Sequence, residues 1–208
     1  IAAVLTAVVV CAVELPAQAQ AVAGGVQQVS LGVLKAKYRD VTWLVIKRLD
    51  VAAQNFEALG PETNALANSM KELKDDSGYI AATGNVPAGF PGDVREMGDE
   101  LCDYANVLQE VYEQLGDEEE YIVPDAGLYA VCQRLKALSA ALKQETDNIR
   151  DEAEDFYGDI KYARTQGYVD DALYGNCRDV HNRAGDVKNK AAELDELIGE
   201  FLEKSKPG

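Results

Sequence analysis

Apolar residues recur at spacings of three and four along most of this chain, which is the period of α-helices that turn one face to a core. In the segment from Val26 to Leu59 they fall at Leu34, Tyr38, Val41, Val45, Leu49, Ala52, Phe56 and Leu59, predicting a first helix of one buried stripe. Gly60-Pro61 predicts a break or kink, after which Leu66, Met70 and Leu73 resume the pattern over Glu62 to Lys74. Between Ser77 and Gly92 the chain is rich in glycine and proline and nearly free of charge, which predicts a long loop over 77–92. Asp93, with Glu96 three residues on, predicts a capped start for the next helix. Val94, Met97, Leu101, Tyr104, Leu108, Val111 and Leu115 carry its stripe to Gly116. Past an acidic run and the turn YIVPDAG, a third stripe runs from Leu128 to Phe156. Gly167 separates it from a fourth, Val169 to Phe201.

Strand patterns, meaning β-branched alternation between turns, are absent after the N-terminal apolar segment. Each long stripe must find partners of its own kind, so the pattern specifies an all-α fold, an up-down antiparallel bundle of about four long helices. The domain organisation expected is an apolar segment with a small-residue linker over 1–25, one bundle domain over 26–204 and a short tail over 205–208.

The opening IAAVLTAVVVCAV carries no charge and is followed by ELPAQAQA, a proline and small residues of the kind a signal peptidase reads. Export, to an organelle lumen, a periplasm or the extracellular space, is the natural expectation, within a longer precursor. A truncated membrane anchor and a buried docking helix are the other two readings of residues 1–13, and the anchor reading gives membrane contact there. As a helix these residues would reach only about 20 Å, short of a hydrocarbon core of about 30 Å.

Charge changes the picture next. Lys and Arg total 20 against 36 Asp and Glu, a formal net charge of −16, which argues against a nucleic-acid partner. Twelve acidic residues lie between Asp93 and Asp125 against the single base Arg95, whereas Lys35, Lys37, Arg39, Lys47 and Arg48 oppose only Asp40. A basic region near the N-terminal end is therefore expected.

Little in the chain suggests catalysis. His181 is the only histidine, and no Walker loop, dinucleotide fingerprint, nucleophile elbow or EF-hand series occurs. Cys177 and His181 stand four apart on one helix face, half of a metal site without a second half. No cofactor, metal or enzymatic activity is expected. Cys102 and Cys177 each lie nine residues into helices that run parallel in an up-down bundle, so a disulfide between them is one reading and two reduced core thiols the other.

Two connections carry apolar residues where solvent would favour polar ones: Tyr79, Ile80 and Phe90 in the first, Tyr121, Ile122 and Val123 in the second. They are read either as docking surfaces, together with Lys35, Lys37 and Arg39, or as caps folded onto the bundle. The segment AVVVCAVELPAQAQA, an irregular stretch and then long helices ending in KNKAAELDELIGEFLEK resemble, in architecture from about Val26 to Lys204, the PsbQ-type extrinsic subunits of photosystem II. That resemblance implies a lumenal, non-catalytic bundle associated with a photosynthetic complex in the thylakoid. The expected role is thus an accessory or scaffold subunit docked on protein subunits of a membrane-associated complex. A membrane-anchored extracytoplasmic ligand-binding or sensory bundle is the alternative, and predicts a cavity between helices. An enzyme using Cys177 and His181 is a third class, and predicts a depressed thiol pKa.

Overall fold

The computed structural model describes residues 31–208, with the side chains of 31–36 and 38 outside that description, as are the signal-like and anchor readings of residues 1–25. The chain divides after Val41, and Thr42–Gly208 forms one compact unit. Four long helices are present, α1 (Leu31–Thr83), α2 (Phe90–Gly116), α3 (Ala126–Thr165) and α4 (Asp171–Ser205), with one 3₁₀ turn at Glu119–Tyr121. Among the described residues there is no strand, and the four helices pack against each other in the all-α bundle that the stripes specify.

The helix α1 does not stop at Gly60-Pro61; it runs through Pro61. Its buried positions continue at helical spacing through Leu59, Thr63, Leu66, Met70, Leu73, Ser77 and Ile80. Two of these are hydroxyl residues, which is why an apolar-only pattern falters there. Each closes on its own helix, Thr63 Oγ1 donating to the Leu59 carbonyl at 2.8 Å and Ser77 Oγ to that of Lys74 at 2.7 Å. Ser139 and Thr146 do the same inside α3. A buried hydroxyl that bonds backwards costs far less than an unpaired one, so the stripe tolerates it.

The expected loop over 77–92 is corrected to the short connection Gly84 to Gly89, because Ile80 and Phe90 are both fully buried and draw their flanks into helices. Gly84 ends α1 in the left-handed region (φ +74°), its N–H donating to the Ile80 carbonyl. A Cβ at that position would also meet the Tyr168 ring at 3.1 Å. The helix α2 then starts four residues earlier than the Asp93 cap predicts. Its N-cap is Gly89, with no side-chain cap, and Pro91 occupies a first-turn position where the missing N–H is harmless. Asp93 serves in the first turn instead, favourably placed against the helix dipole.

Caps elsewhere follow the rules closely. Asp125 accepts from Gly127 and Leu128 at the start of α3, and Asp170 from Leu173 at the start of α4. Between them Gly167 (φ +77°) ends α3 in a Schellman motif, the N–H of Tyr168 donating to Ala163 and its own to Arg164.

Ion pairs and hydrogen bonds give the arrangement. The pairs Arg134 with Asp50 and Glu57, then Lys74 with Glu152, climb α1 and α3 in the same direction. Arg183 with Asp99 and Lys190 with Gln109 show α2 and α4 parallel in the same way. Thr63 meeting Tyr104 and Arg48 meeting Glu118 make α1 and α2 antiparallel, as do Lys136 with Asp195 and Lys188 with Asp147 for α3 and α4. Each of α1 and α4 therefore lies on both α2 and α3, and α2 and α3 occupy opposite corners. Successive helices alternate in direction, but the connection over 117–125 has to cross the end of the bundle.

Candidate functional site

That crossing explains the apolar turn YIVP. Ile122 is buried and Tyr121 and Val123 are packed against the core, so this connection caps the bundle. Asp125 N–H donates to the Ser205 carbonyl at 3.0 Å, tying the crossing to the end of α4. Glu118, at its start, is buried and takes a hydrogen bond from Arg48 Nη1 at 2.8 Å. Of the residues proposed as docking groups, Ile80, Phe90 and Ile122 are therefore core residues, because each falls where a helix end or crossing needs an apolar plug. Tyr79 remains outside at 50% exposed, and Lys37 and Arg39 are exposed on α1. Lys35 lies in α1 with its side chain outside the described residues.

Other aromatic residues share that exposure. Trp43 is 57% exposed, Tyr162 54% and Tyr168 41%, on a surface otherwise dominated by charge. Trp43, beneath Lys47 on the same helix, had no place in the apolar stripe and was the available sign. Tyr162 lies in the last turn of α3 and Tyr168 in the connection from α3 to α4.

The same connection leads into a polar aromatic cluster on α3 and α4. The hydroxyls of Tyr157 and Tyr174 hydrogen-bond, the Tyr157 ring lies 4.7 Å from His181, and Arg164 sits over the Tyr174 ring at 4.2 Å. His181 Nε2 is 2.8 Å from Glu154 Oε2, which also takes Arg150 at 2.8 Å. The Tyr157 hydrogen bond, with the Arg164 charge behind it, lowers the Tyr174 pKa, and the same hydrogen bond raises that of Tyr157. The Glu154 pKa is lowered, first by its bond to His181. Every member bridges α3 to α4 or supports one that does, so the cluster holds the two helices in register.

Cys177 is not part of it. Its side chain is buried among apolar residues, and burial pushes its thiol up to about 12, the opposite of the depressed value that a nucleophile or thiolate ligand requires. Of the two readings of Cys102 and Cys177, a bridge or two reduced core thiols, the structure has Cys102, Cys132 and Cys177 as free thiols, with Cys177 and Cys132 in the core and Cys102 exposed outside it. Cys102 follows the buried Leu101 by one residue, about 100° around the helix, and so faces away from α4's core stripe, and the pairs Asp99–Arg183 and Gln109–Lys190 set it opposite the stretch between Arg183 and Lys190, well past Cys177. With Cys11 replaced by serine, iodoacetamide at pH 8 should alkylate Cys102 readily. Cys177, buried in the core, should react far more slowly until the protein is unfolded. Mass spectrometry before and after denaturation reads both, and equal native rates would contradict the buried placement.

Among the described residues, no group of three or more His, Cys, Asp and Glu side chains is placed to hold a metal ion, and no helix is long and apolar enough to cross a membrane.

One cleft opens between α1 and α3, with a volume of 340 Å³. Gly60 leaves it open, since a Cβ there would meet nothing within 4 Å. Phe56, Leu138 and Leu142 make its apolar wall, and Glu57 and Glu145 are its charged members. The glycine that reads as a helix breaker in the sequence is thus a gap in a helix face.

Neither a family model, nor a curated protein, nor a solved structure matches this chain. The bundle and its surfaces are what its function has to be read from.

Proposed function

We propose that this chain is a non-enzymatic accessory subunit, an acidic helical scaffold that docks on a membrane-associated protein complex through exposed aromatic side chains. The observation that carries the reading is the exposure of Trp43, Tyr79 and Tyr162, each at least half accessible on a highly charged surface. Aromatic residues supply large contact area at low entropic cost and are enriched at protein interfaces. The net charge of −16 favours a basic partner surface and steers the encounter with it. Many of the bundle's ion pairs, and its aromatic cluster, join one helix to another, which supports a structural role for them.

Native electrophoresis of gently solubilised membranes from the source cells tests this. Wild-type chain should migrate with a large complex, and either Trp43→Ser or the pair Tyr79→Ser with Tyr162→Ser should release it while helicity by circular dichroism is kept. Migration of the wild type as a free monomer, or retention by both variants, would sink the reading.

A second reading, a ligand-binding or sensory bundle, is favoured by the cleft between α1 and α3.

A further inference from the structure

We propose that the α1–α3 cleft is a binding site for a small organic cation, an ammonium group carried on an alkyl or arylalkyl body. This rests on the cleft itself and not on the docking role.

The volume, 340 Å³, falls at the lower end of the range of small-molecule sites. Its wall is apolar where it meets the core, since Phe56 and Leu142 are buried and Leu138 packs against the same cluster. An apolar body placed there would replace water on surface that the two helices leave uncovered. The charged groups lining it have one sign. Glu57 accepts from Arg134 Nη2 at 2.8 Å and is thereby partly neutralised. Glu145 takes only the Asn148 amide, at 3.3 Å, and no cation pairs with it among the described residues. Asn64 and Gln144 add amide groups to the lining. An anion would face two carboxylates, whereas an ammonium would pair with Glu145 and meet acceptors on both helices.

Backbone chemistry adds another acceptor close by. Pro61 has no N–H, so the Glu57 carbonyl four residues back lacks its usual helical donor. Gly60, between the two, supplies the missing side chain that makes room.

A net charge of −16 attracts cations everywhere, so the decisive variant has to remove the space and keep the charge. Gly60→Leu does this, since a Cβ there meets nothing within 4 Å beyond its chain neighbours, and Gly60→Ala, which adds only the Cβ next to Pro61, is the control for strain. In an NMR titration of the full chain, 2-phenylethylammonium should give saturable shifts at the amides of Asn64, Leu138 and Glu145. The carboxylate 3-phenylpropionate should give none. Glu145→Gln should weaken binding roughly tenfold, and Gly60→Leu should abolish the saturable component, with helicity and melting retained. Absence of saturable shifts, equal response to both probes, or unchanged binding in Gly60→Leu would overturn the proposal. None of these outcomes depends on whether the chain docks on a complex.

Discussion

Replacing Phe156 by alanine is expected to lower the free energy of unfolding by about 3 to 5 kcal/mol. For a chain of this length that corresponds to a fall in melting temperature of roughly 10 °C. Phe156 is fully buried in α3, and its ring lies 6.3 Å from that of Phe90, the residue that opens α2. The loss combines the transfer of a whole aromatic side chain with the cavity left between helices at opposite corners of the bundle. Those helices relax toward each other poorly because α1 and α4 separate them. Thermal and urea denaturation followed by circular dichroism reads the effect. A loss below about 1 kcal/mol, the size of a surface substitution, would mean that Phe90 and Phe156 do not share a packed core.

The second large effect lies at the other end. Arg48→Ala should destabilise the protein by about 2 kcal/mol, less than a fully buried pair because the Arg48 side chain is 35% exposed. The cost arises from what remains, since Glu118 would keep its carboxylate at 10% exposure with the Arg48 hydrogen bond gone. Changing Arg48 to Met and Glu118 to Leu together should recover most of the loss, because apolar replacements leave no stranded charge. A double-mutant cycle in urea provides the measurement. A single mutant indistinguishable from wild type would show that Glu118 is solvated, and the crossing connection would then be less tightly seated than its burial implies.

The first effect involves Phe90, where the apolar pattern predicts a loop and the structure has a helix start. Phe90 and Ile80 were placed in a long loop because glycine and proline surround them, yet burial of each extended α1 and α2 toward one another. Proline at a first-turn position and a left-handed glycine at a helix end are compatible with that extension, so the residues that resemble a loop act as its two caps. Cys102 and Cys177 do lie in parallel helices, but the earlier start of α2 shifts their levels apart, and position along an axis says nothing about angle around it. The cleft was hidden in the same way, since Gly60 reads as an interruption until the facing helix is known.

Taken alone, the order of residues determined the helices, their number and most of their inward faces, though not at Val41, which is 40% exposed, because period and capping are local properties of the backbone and its nearest side chains. It did not determine which helix lies beside which. That was decided by the crossing of the connection over 117–125, and with it the burial of Ile122, the pairing of Arg48 with Glu118 and the facing of Gly60 toward α3. Such outcomes depend on groups far apart in the chain meeting in space, and several equally apolar stripes can be assembled in more than one order until the connections and ion pairs choose among them.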